Sequence, residues 1–367
     1  MELKKQNVMF LLRATQHGGT ENVVIQLCKI LKPHVNKIIV CAADGFDTSG
    51  LKLLNIEFYK VNDIENKTPK NILHNLICLE QLIKRENITI MHTHHRMAAF
   101  YAYILSFKHS FIFINTSHNV FEDKRFFTKL IYRHSNLIAC GEKVKSNLVE
   151  FFGVSESRIT VICNAVESFE EEVQAIEKIE KIKKKGYILI GNVGRLTEQK
   201  GMKYFIQSLP LVLEKHSNVQ YVVVGDGEER KELESLANNL GVSGNIIFLG
   251  YRKDIQNVIA QLDFIVLSSL WEGLPLIPLE AFSVGKTVIA TAVDGTVEII
   301  RDDVDGILIE PKNSEMMAQK INFLIDNPDI RYSFEKKAKK RYLEKFSFEQ
   351  LEETYIKYYR GLIQCQK

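Results

Sequence analysis

The amino-acid sequence predicts an α/β protein made of two doubly wound parallel-sheet domains. Three observations carry this prediction. The 367 residues exceed one domain of about 150. Short unbroken apolar runs of strand length recur in both halves, as in sheets buried on both faces. Helical patterns stand between most of these runs. Hydrophobic residues make up 46% and charged residues 25%, a soluble globular composition rather than a disordered or fibrous one. With 48 basic and 45 acidic side chains the net charge is +3, which does not point to a dedicated nucleic-acid binder.

The first apolar run, Val8 to Leu12, leads into the turn Gly18-Gly19. Thr20 follows as an N-cap, and a helix runs to about Leu31, before Pro33. Further strands are predicted at Lys37 to Ala42, Ile88 to His92, Phe111 to Asn115, Leu137 to Ala139 and Ile159 to Ile162. The longest apolar stretch, Met97 to Phe107 between Arg96 and Lys108, reads as a buried helix, well short of the roughly 20 residues of a spanning one. Between Glu170 and Lys185 acids come first and lysines last, with Val173, Ile176, Ile179 and Ile182 at three-residue spacing. This predicts a short helix ending at Gly186. Strands resume at Tyr187 to Val193, Gln220 to Gly225, Ile246 to Leu249, Phe264 to Leu267, Thr287 to Ala290 and Gly306 to Ile309. From Asn313 onward the pattern is helical.

The apolar run before Arg13, Val8 to Leu12, is only five residues long, too short for a signal-peptide core, so the expectation is a cytoplasmic chain. Six scattered cysteines without a Cys-x-x-Cys pair suggest neither a disulfide framework nor a zinc ribbon. Residues 1–169 hold 21 Lys and Arg against 15 Asp and Glu, whereas the remainder holds 27 against 30, so the two halves are expected to face different partners.

In open parallel sheets, ligands collect at the carboxyl ends of the strands. Three such ends carry candidate chemistry. Gly18 and Gly19 permit close backbone approach to a phosphate ahead of a helix N-terminus, although paired glycines serve ordinary tight turns as often. Arg195 and Lys200, on the loop after Gly194, could bracket a diphosphate as fork and point charge, or be two solvated cations. Neither Gly191-x-x-Gly194 nor Gly225-x-Gly227 has dinucleotide-fingerprint spacing. The most specific string runs from Ser268 to Ala281. A strand ends, a loop carries Glu272, and a helix starting near Leu276 carries Glu280. Two carboxylates so placed could grip sugar and ribose hydroxyls while free first-turn N–H groups face a phosphate. An acid near a helix start is also favoured by the helix dipole in any protein.

Taken in order, these landmarks resemble glycosyltransferase family 4, retaining enzymes of the GT-B architecture, over nearly the whole chain. The matching residues are Gly18-Gly19-x-Glu21, His92-x-His94, Ser117-His118, Asn164-x-Val166, Gly194-Arg195-Leu196 with Lys200-Gly201, and Val224-Gly225-x-Gly227. Phe248-Leu249-Gly250, the pair Glu272 and Glu280, and Glu298 with Gly306 complete the series. Ala165 stands where the family usually has Gly, and Val297 where it has Pro.

The resemblance implies two Rossmann-like domains facing each other across a cleft. The expected division is an acceptor-binding domain over residues 1–169, an interdomain segment over 170–185 and a nucleotide-sugar domain over 186–340, with C-terminal helices over 341–367 packing back toward the N-terminal domain. It also implies that Glu280 binds ribose, that Glu272 binds the transferred sugar, and that Arg195 and Lys200 hold the diphosphate. Gly18 and Gly19 would close on that diphosphate, and His118 would lie beside the sugar. Leu249 and Tyr251 would frame the base, and Gly273, Leu274, Leu276 and Ile277 would contact sugar and phosphate. His118, Arg195, Lys200 and Glu272 form the expected catalytic set, and His92, His94 and Arg96 the acceptor side.

The implied reaction moves a hexose or N-acetylhexosamine from a nucleotide sugar, UDP ahead of GDP, to a glycan or undecaprenyl-linked acceptor in bacterial surface-polysaccharide synthesis. A nucleotide-sugar epimerase on the same plan is the alternative. No metal or other cofactor is expected. His92-Thr93-His94-His95 suggests metal ligands, yet no carboxylate or cysteine follows at ligand spacing. From Glu122 to His134, Phe126, Phe127, Leu130 and Ile131 share one helical face ringed by Lys124, Arg125, Lys129 and Arg133. This pattern fits a helix on an anionic membrane surface, and equally one packed on its own sheet with solvated cations. The first of these readings would make the chain peripheral to the inner face of the plasma membrane.

Overall fold

The computed structural model describes residues 2–13, 19–293 and 295–364. Gly18 lies outside the described residues. The chain forms two compact units. The first extends to Asn164 and takes in the chain from Leu351; the second runs from Ala165 to Gln350.

The first unit is built on a seven-stranded parallel sheet, and its strands are β1 (Asn7–Leu11), β2 (Lys37–Ala42), β3 (Glu57–Lys60), β4 (Ile90–Thr93), β5 (Ile112–Ser117), β6 (Asn136–Ala139) and β7 (Ile159–Val161). The order β3-β2-β1-β4-β5-β6-β7 reverses direction at β1, the switch point where such sheets open a crevice. β1 pairs in register with β2 on one side and β4 on the other, so Val8 to Leu11 are sealed on both faces. β3 is a strand that the sequence does not announce. It lies at the sheet edge with Glu57 and Lys60 exposed, so it lacks an apolar run. Lys37 holds it through ion pairs to Glu57 at 2.7 Å and Glu86 at 2.6 Å.

The second unit has six parallel strands, β8 (Ile188–Val193), β9 (Val219–Val224), β10 (Ile246–Gly250), β11 (Phe264–Leu267), β12 (Val288–Thr291) and β13 (Gly306–Ile309), in the order β10-β9-β8-β11-β12-β13. This repeats the doubly wound plan, and the two Rossmann-like sheets make the GT-B architecture. Its core gathers Ile190, Phe205, Tyr221, Phe264 and Ile321. The Phe205 and Tyr221 rings stack with centroids 4.0 Å apart, and the buried Tyr221 hydroxyl meets Ser208 Oγ at 3.0 Å, satisfying its polar tip.

Three expectations about elements need correction. The helix expected over 170–185 is confined to Glu177–Lys183. Upstream, the backbone is extended because Gln174 N and Ile176 N donate to the side chains of Asn257 and Gln261, and only Ile179 of the four spaced apolar residues is buried. The tail beyond 341 also divides. Residues 342–346 form one π turn of the second unit, where Tyr342 Oη donates to Val166 O at 3.0 Å, whereas the chain from Leu351 belongs to the first unit. Finally, the helix within 122–134 is Arg125–Tyr132, and its apolar residues split. Ile131 and Tyr132 enter the core, while Phe126 is 89% exposed and Phe127 and Leu130 about half exposed.

Candidate active site

In the second unit the carboxyl ends of β8, β9 and β11 bring their loops into backbone contact. Gly194 N donates to Val224 O at 2.9 Å, and Leu196 N to Asp226 O at 3.0 Å. A Cβ on Gly225, whose φ is +132°, would lie 1.9 Å from Gly194 O, and one on Gly227 2.3 Å from Leu196 O. Only glycine admits this approach. Gly201, at φ +55°, starts the helix Met202–Leu213 and passes close to Ser268 O, which fixes the residue before it.

That residue is Lys200. Its aliphatic stem crosses Gly194, where an added Cβ would sit 3.3 Å from Cγ and Cδ. Its Nζ donates to Glu272 Oε1, which also accepts from Ser269 Oγ at 2.6 Å. Lys200 is 17% and Glu272 7% exposed at the side chain, so the pair is largely withdrawn from water. Arg195, two residues beyond β8, is exposed, and its guanidinium makes no ion pair among the described residues. The loop therefore offers one cation already neutralised and one available to an anion.

The helix Leu276–Ser283 follows. A helix start leaves four N–H groups without intrahelical partners. Here Pro275 at the cap and Pro278 in the first turn have none to offer, so the N–H groups of Leu276 and Ile277 remain. Further along the same helix, Glu280 keeps its Oε2 out of solvent and without a hydrogen-bond partner. Burial disfavours its ionised form and pushes the carboxyl up to about 7. Gly273 lies against the loop after β12, because a Cβ on Gly295 would fall 1.7 Å from its carbonyl oxygen. On the edge strand β10 the register shifts between Phe248 and Gly250, placing Leu249 at a bulge, and Tyr251 beyond it is 46% exposed.

In the first unit Gly19 opens the helix Gly19–Leu31 and is exposed. β4 and β5 carry His92, His94 and His118 to one face of the sheet. His94 Nδ1 and His118 Nε2 are 2.9 Å apart, and the rings of His92 and His94 stack at 4.4 Å. Both nitrogens of His92 are engaged, Nδ1 with Tyr359 Oη and Nε2 with Thr116 Oγ1, each at 2.7 Å. Burial depresses all three imidazoles, His92 to about 3 and His118 to about 4, with neighbouring imidazoles adding to the effect. Arg96 stacks over Phe121 at 4.0 Å and pairs with Asp123. It lines a cavity of about 340 Å³ with Lys67, Met97, Phe100, Lys124, Phe127 and Tyr132. Among the described residues no group of three His, Cys, Asp or Glu side chains is disposed to hold a metal ion.

The family model described as Glycosyltransferase Family 4 matches residues 17–168, and that described as Glycosyl transferases group 1 matches residues 173–341. The chain is 31% identical over 322 residues to the Escherichia coli UDP-Gal:alpha-D-GlcNAc-diphosphoundecaprenol alpha-1,3-galactosyltransferase, covering 80% of this chain and 81% of that protein. The chain belongs to glycosyltransferase family 4. Like its E. coli relative, an uncharacterized glycosyltransferase of Methanocaldococcus jannaschii is similar to this family 4 chain, 30% identical over 62% of the chain and 60% of the relative. The crystal structure of a glycosyltransferase from Rickettsia africae superposes with a TM-score of 0.84 at 26% identity, covering 98% of this chain and 99% of that one.

For this family 4 glycosyltransferase, the structure brings together some of the residues singled out in the sequence and separates others. Lys200 and Glu272, expected to serve phosphate and sugar separately, are bonded to each other. Leu276 and Ile277 are the two residues whose first-turn amides survive the flanking prolines. Of the two histidines expected on the acceptor side, His92 is fully buried with both nitrogens taken, and His94 is 3% exposed. Sequence reading did not find Ser269, Thr116 or Tyr359. Tyr359 is 267 residues from His92, a separation that no motif spans.

Proposed function

We propose that this protein is a retaining glycosyltransferase that transfers a hexose or N-acetylhexosamine from a UDP-sugar to a hydroxyl of a lipid-linked glycan in bacterial surface-polysaccharide assembly. The observation that carries the proposal is the second unit's set of complementary groups at its strand ends. Arg195 is available to a diphosphate, the Leu276 and Ile277 amides aim from a helix start, and Glu280 has an unbonded carboxyl oxygen. A nucleoside diphosphate meets each of these needs. Its phosphates take the guanidinium and the amides, and its ribose hydroxyls donate to Glu280.

In this reading Lys200 changes partners. Without donor it is neutralised by Glu272; with donor its Nζ turns to the diphosphate, and Glu272, still held by Ser269, accepts from the hydroxyls of the transferred sugar. As the glycosidic bond to the diphosphate breaks, charge accumulates on the leaving oxygen. Arg195, Lys200 and the helix amides are preorganised to stabilise it, the largest expected term in such a step. The acceptor oxygen then bonds to the anomeric carbon on the face the diphosphate leaves, and its proton departs with the leaving group.

The name of the E. coli relative specifies a UDP donor and a diphosphoundecaprenol-linked acceptor, which supports the same pairing here. The Arg96 cavity suits the acceptor, having a mostly apolar lining that also includes Lys67, Arg96, Lys124 and Glu65. The outward Phe126, Phe127 and Leu130 beside Lys124, Arg125, Lys129 and Arg133 suit peripheral contact with an anionic bilayer.

The deciding experiment is thermal stabilisation by UDP, GDP, ADP and their sugars, repeated with Glu280→Ala. A shift for uridine nucleotides that disappears in the variant supports donor class and ribose role together. If no nucleotide shifts the transition, the second unit is not a nucleotide-sugar site.

A further inference from the structure

We propose that His94 is a positioning residue that sets the tautomer of His118, so that His118 presents an Nδ1–H donor, and not a basic nitrogen, to the transferred sugar. The proposal rests on the transferase reading above and on the family resemblance, which implies that His118 lies beside the transferred sugar.

One proton distinguishes two states of the histidine pair. His94 Nδ1 and His118 Nε2 lie 2.9 Å apart, and a neutral imidazole has one N–H and one lone pair, so a single proton sits between the two rings. If it belongs to His94, then Nδ1–H donates to His118 Nε2, His94 Nε2 is a bare lone pair, and His118 carries its own proton on Nδ1. If it belongs to His118, the order inverts. His94 Nε2 then bears an N–H, and His118 Nδ1 is bare and basic.

What separates the two is the far side of His94. Its Nε2 is buried without any hydrogen-bond partner, in a side chain 3% exposed. A buried donor with no acceptor is the rarer and costlier defect, so the proton belongs on His94 Nδ1. Protonating both His94 nitrogens is opposed by burial and by the neighbouring imidazoles.

The orientation of His94 is fixed in turn. Its ring stacks on His92 at 4.4 Å and is flanked by Phe10 at 5.8 Å, and His92 is held at both nitrogens by Tyr359 and Thr116. His118 Nδ1 has no partner among the described residues, and the side chain is only partly buried, so this end is the one that can meet a ligand. A donor aimed at a sugar oxygen binds and orients, whereas a basic nitrogen would compete for the acceptor's proton.

The test is nitrogen NMR on the full chain with labelled histidine, with His118 assigned by loss of its signals in His118→Gln. The expected pattern in the native protein is a protonated Nδ1 and a bare Nε2 on His118; the reverse pattern overturns the proposal without any appeal to activity. His94→Phe should abolish the tautomer preference and lower kcat at least tenfold, with nucleotide Kd changed less than twofold. His94→Asn, whose amide nitrogen can replace Nδ1 as donor, should restore the His118 pattern and most of kcat. Unchanged His118 signals and kcat in His94→Phe also overturn it. A protein with the predicted NMR pattern but no transferase activity would instead sink the transferase reading and leave the tautomer assignment standing.

Discussion

Glu280 places a carboxyl where ionisation is unfavourable, with one oxygen sealed and unbonded, and the cost is visible in a carboxyl raised to about 7. On the function proposed above, ribose hydroxyls donate most strongly to the ionised carboxylate, so nucleotide binding would favour that form and release a proton at lower pH. Uridine nucleotide affinity should thus hold above about pH 7 and fall as pH drops below it, by about tenfold between pH 8 and 6. Titration calorimetry of the native protein beside Glu280→Gln isolates this contribution, since the phosphates titrate identically in both. Equal pH dependence in the two proteins would remove Glu280 from the site. The identities of Arg195, Lys200, Glu272 and Glu280 were legible in the sequence because they sit in local motifs. The Lys200–Glu272 bond was not, since it joins loops 72 residues apart.

Elements tell the same story on a longer scale. Strands sealed on both faces read as apolar runs, so β8 and β11 could be placed from Ile188 to Val193 and Phe264 to Leu267 within a residue. β3 could not, because an edge strand with Glu57 and Lys60 facing water has no such run. The helix Arg125–Tyr132 shows a different limit, in that periodicity put four apolar residues on one face, but packing took Ile131 inward and left Phe126, Phe127 and Leu130 outside. These three residues should anchor the protein to anionic vesicles at low salt. Flotation with phosphatidylglycerol liposomes should lose most of the bound fraction in Phe126→Ser/Leu130→Ser while thermal stability is unchanged, because neither side chain is in the core. Equal flotation of native and variant protein would leave the helix without a membrane role.

Across the whole molecule, the chain ends by returning to the unit in which it began. Leu351, Tyr355, Ile356, Tyr359 and Ile363 are buried, and Tyr359 bonds His92 beneath β4. Five buried side chains of this size contribute several kcal/mol, and the first unit depends on them even though 186 residues of the second unit, Ala165 to Gln350, intervene. Truncation after Gln350 should accordingly speed hydrogen exchange in β4 and β5 while leaving β8 and β9 protected as before. If exchange rises equally in both sheets, or in neither, the terminal helix does not serve the first unit selectively. The local pattern of this tail reads only as helical; its return to the first unit came from the family resemblance, because a long-range docking partner leaves no local signature.

The glycine contacts at the strand ends of the second unit also bear on how such a site can diversify. Gly225, Gly227 and Gly295 each meet the backbone of a neighbouring loop, leaving no room for a β-carbon, and Gly194 lies tightly under the stem of Lys200. Side chains therefore cannot be introduced at Gly225, Gly227 or Gly295 without dismantling the scaffold. Variation is channelled instead to half-exposed side chains such as Tyr251 and Trp271.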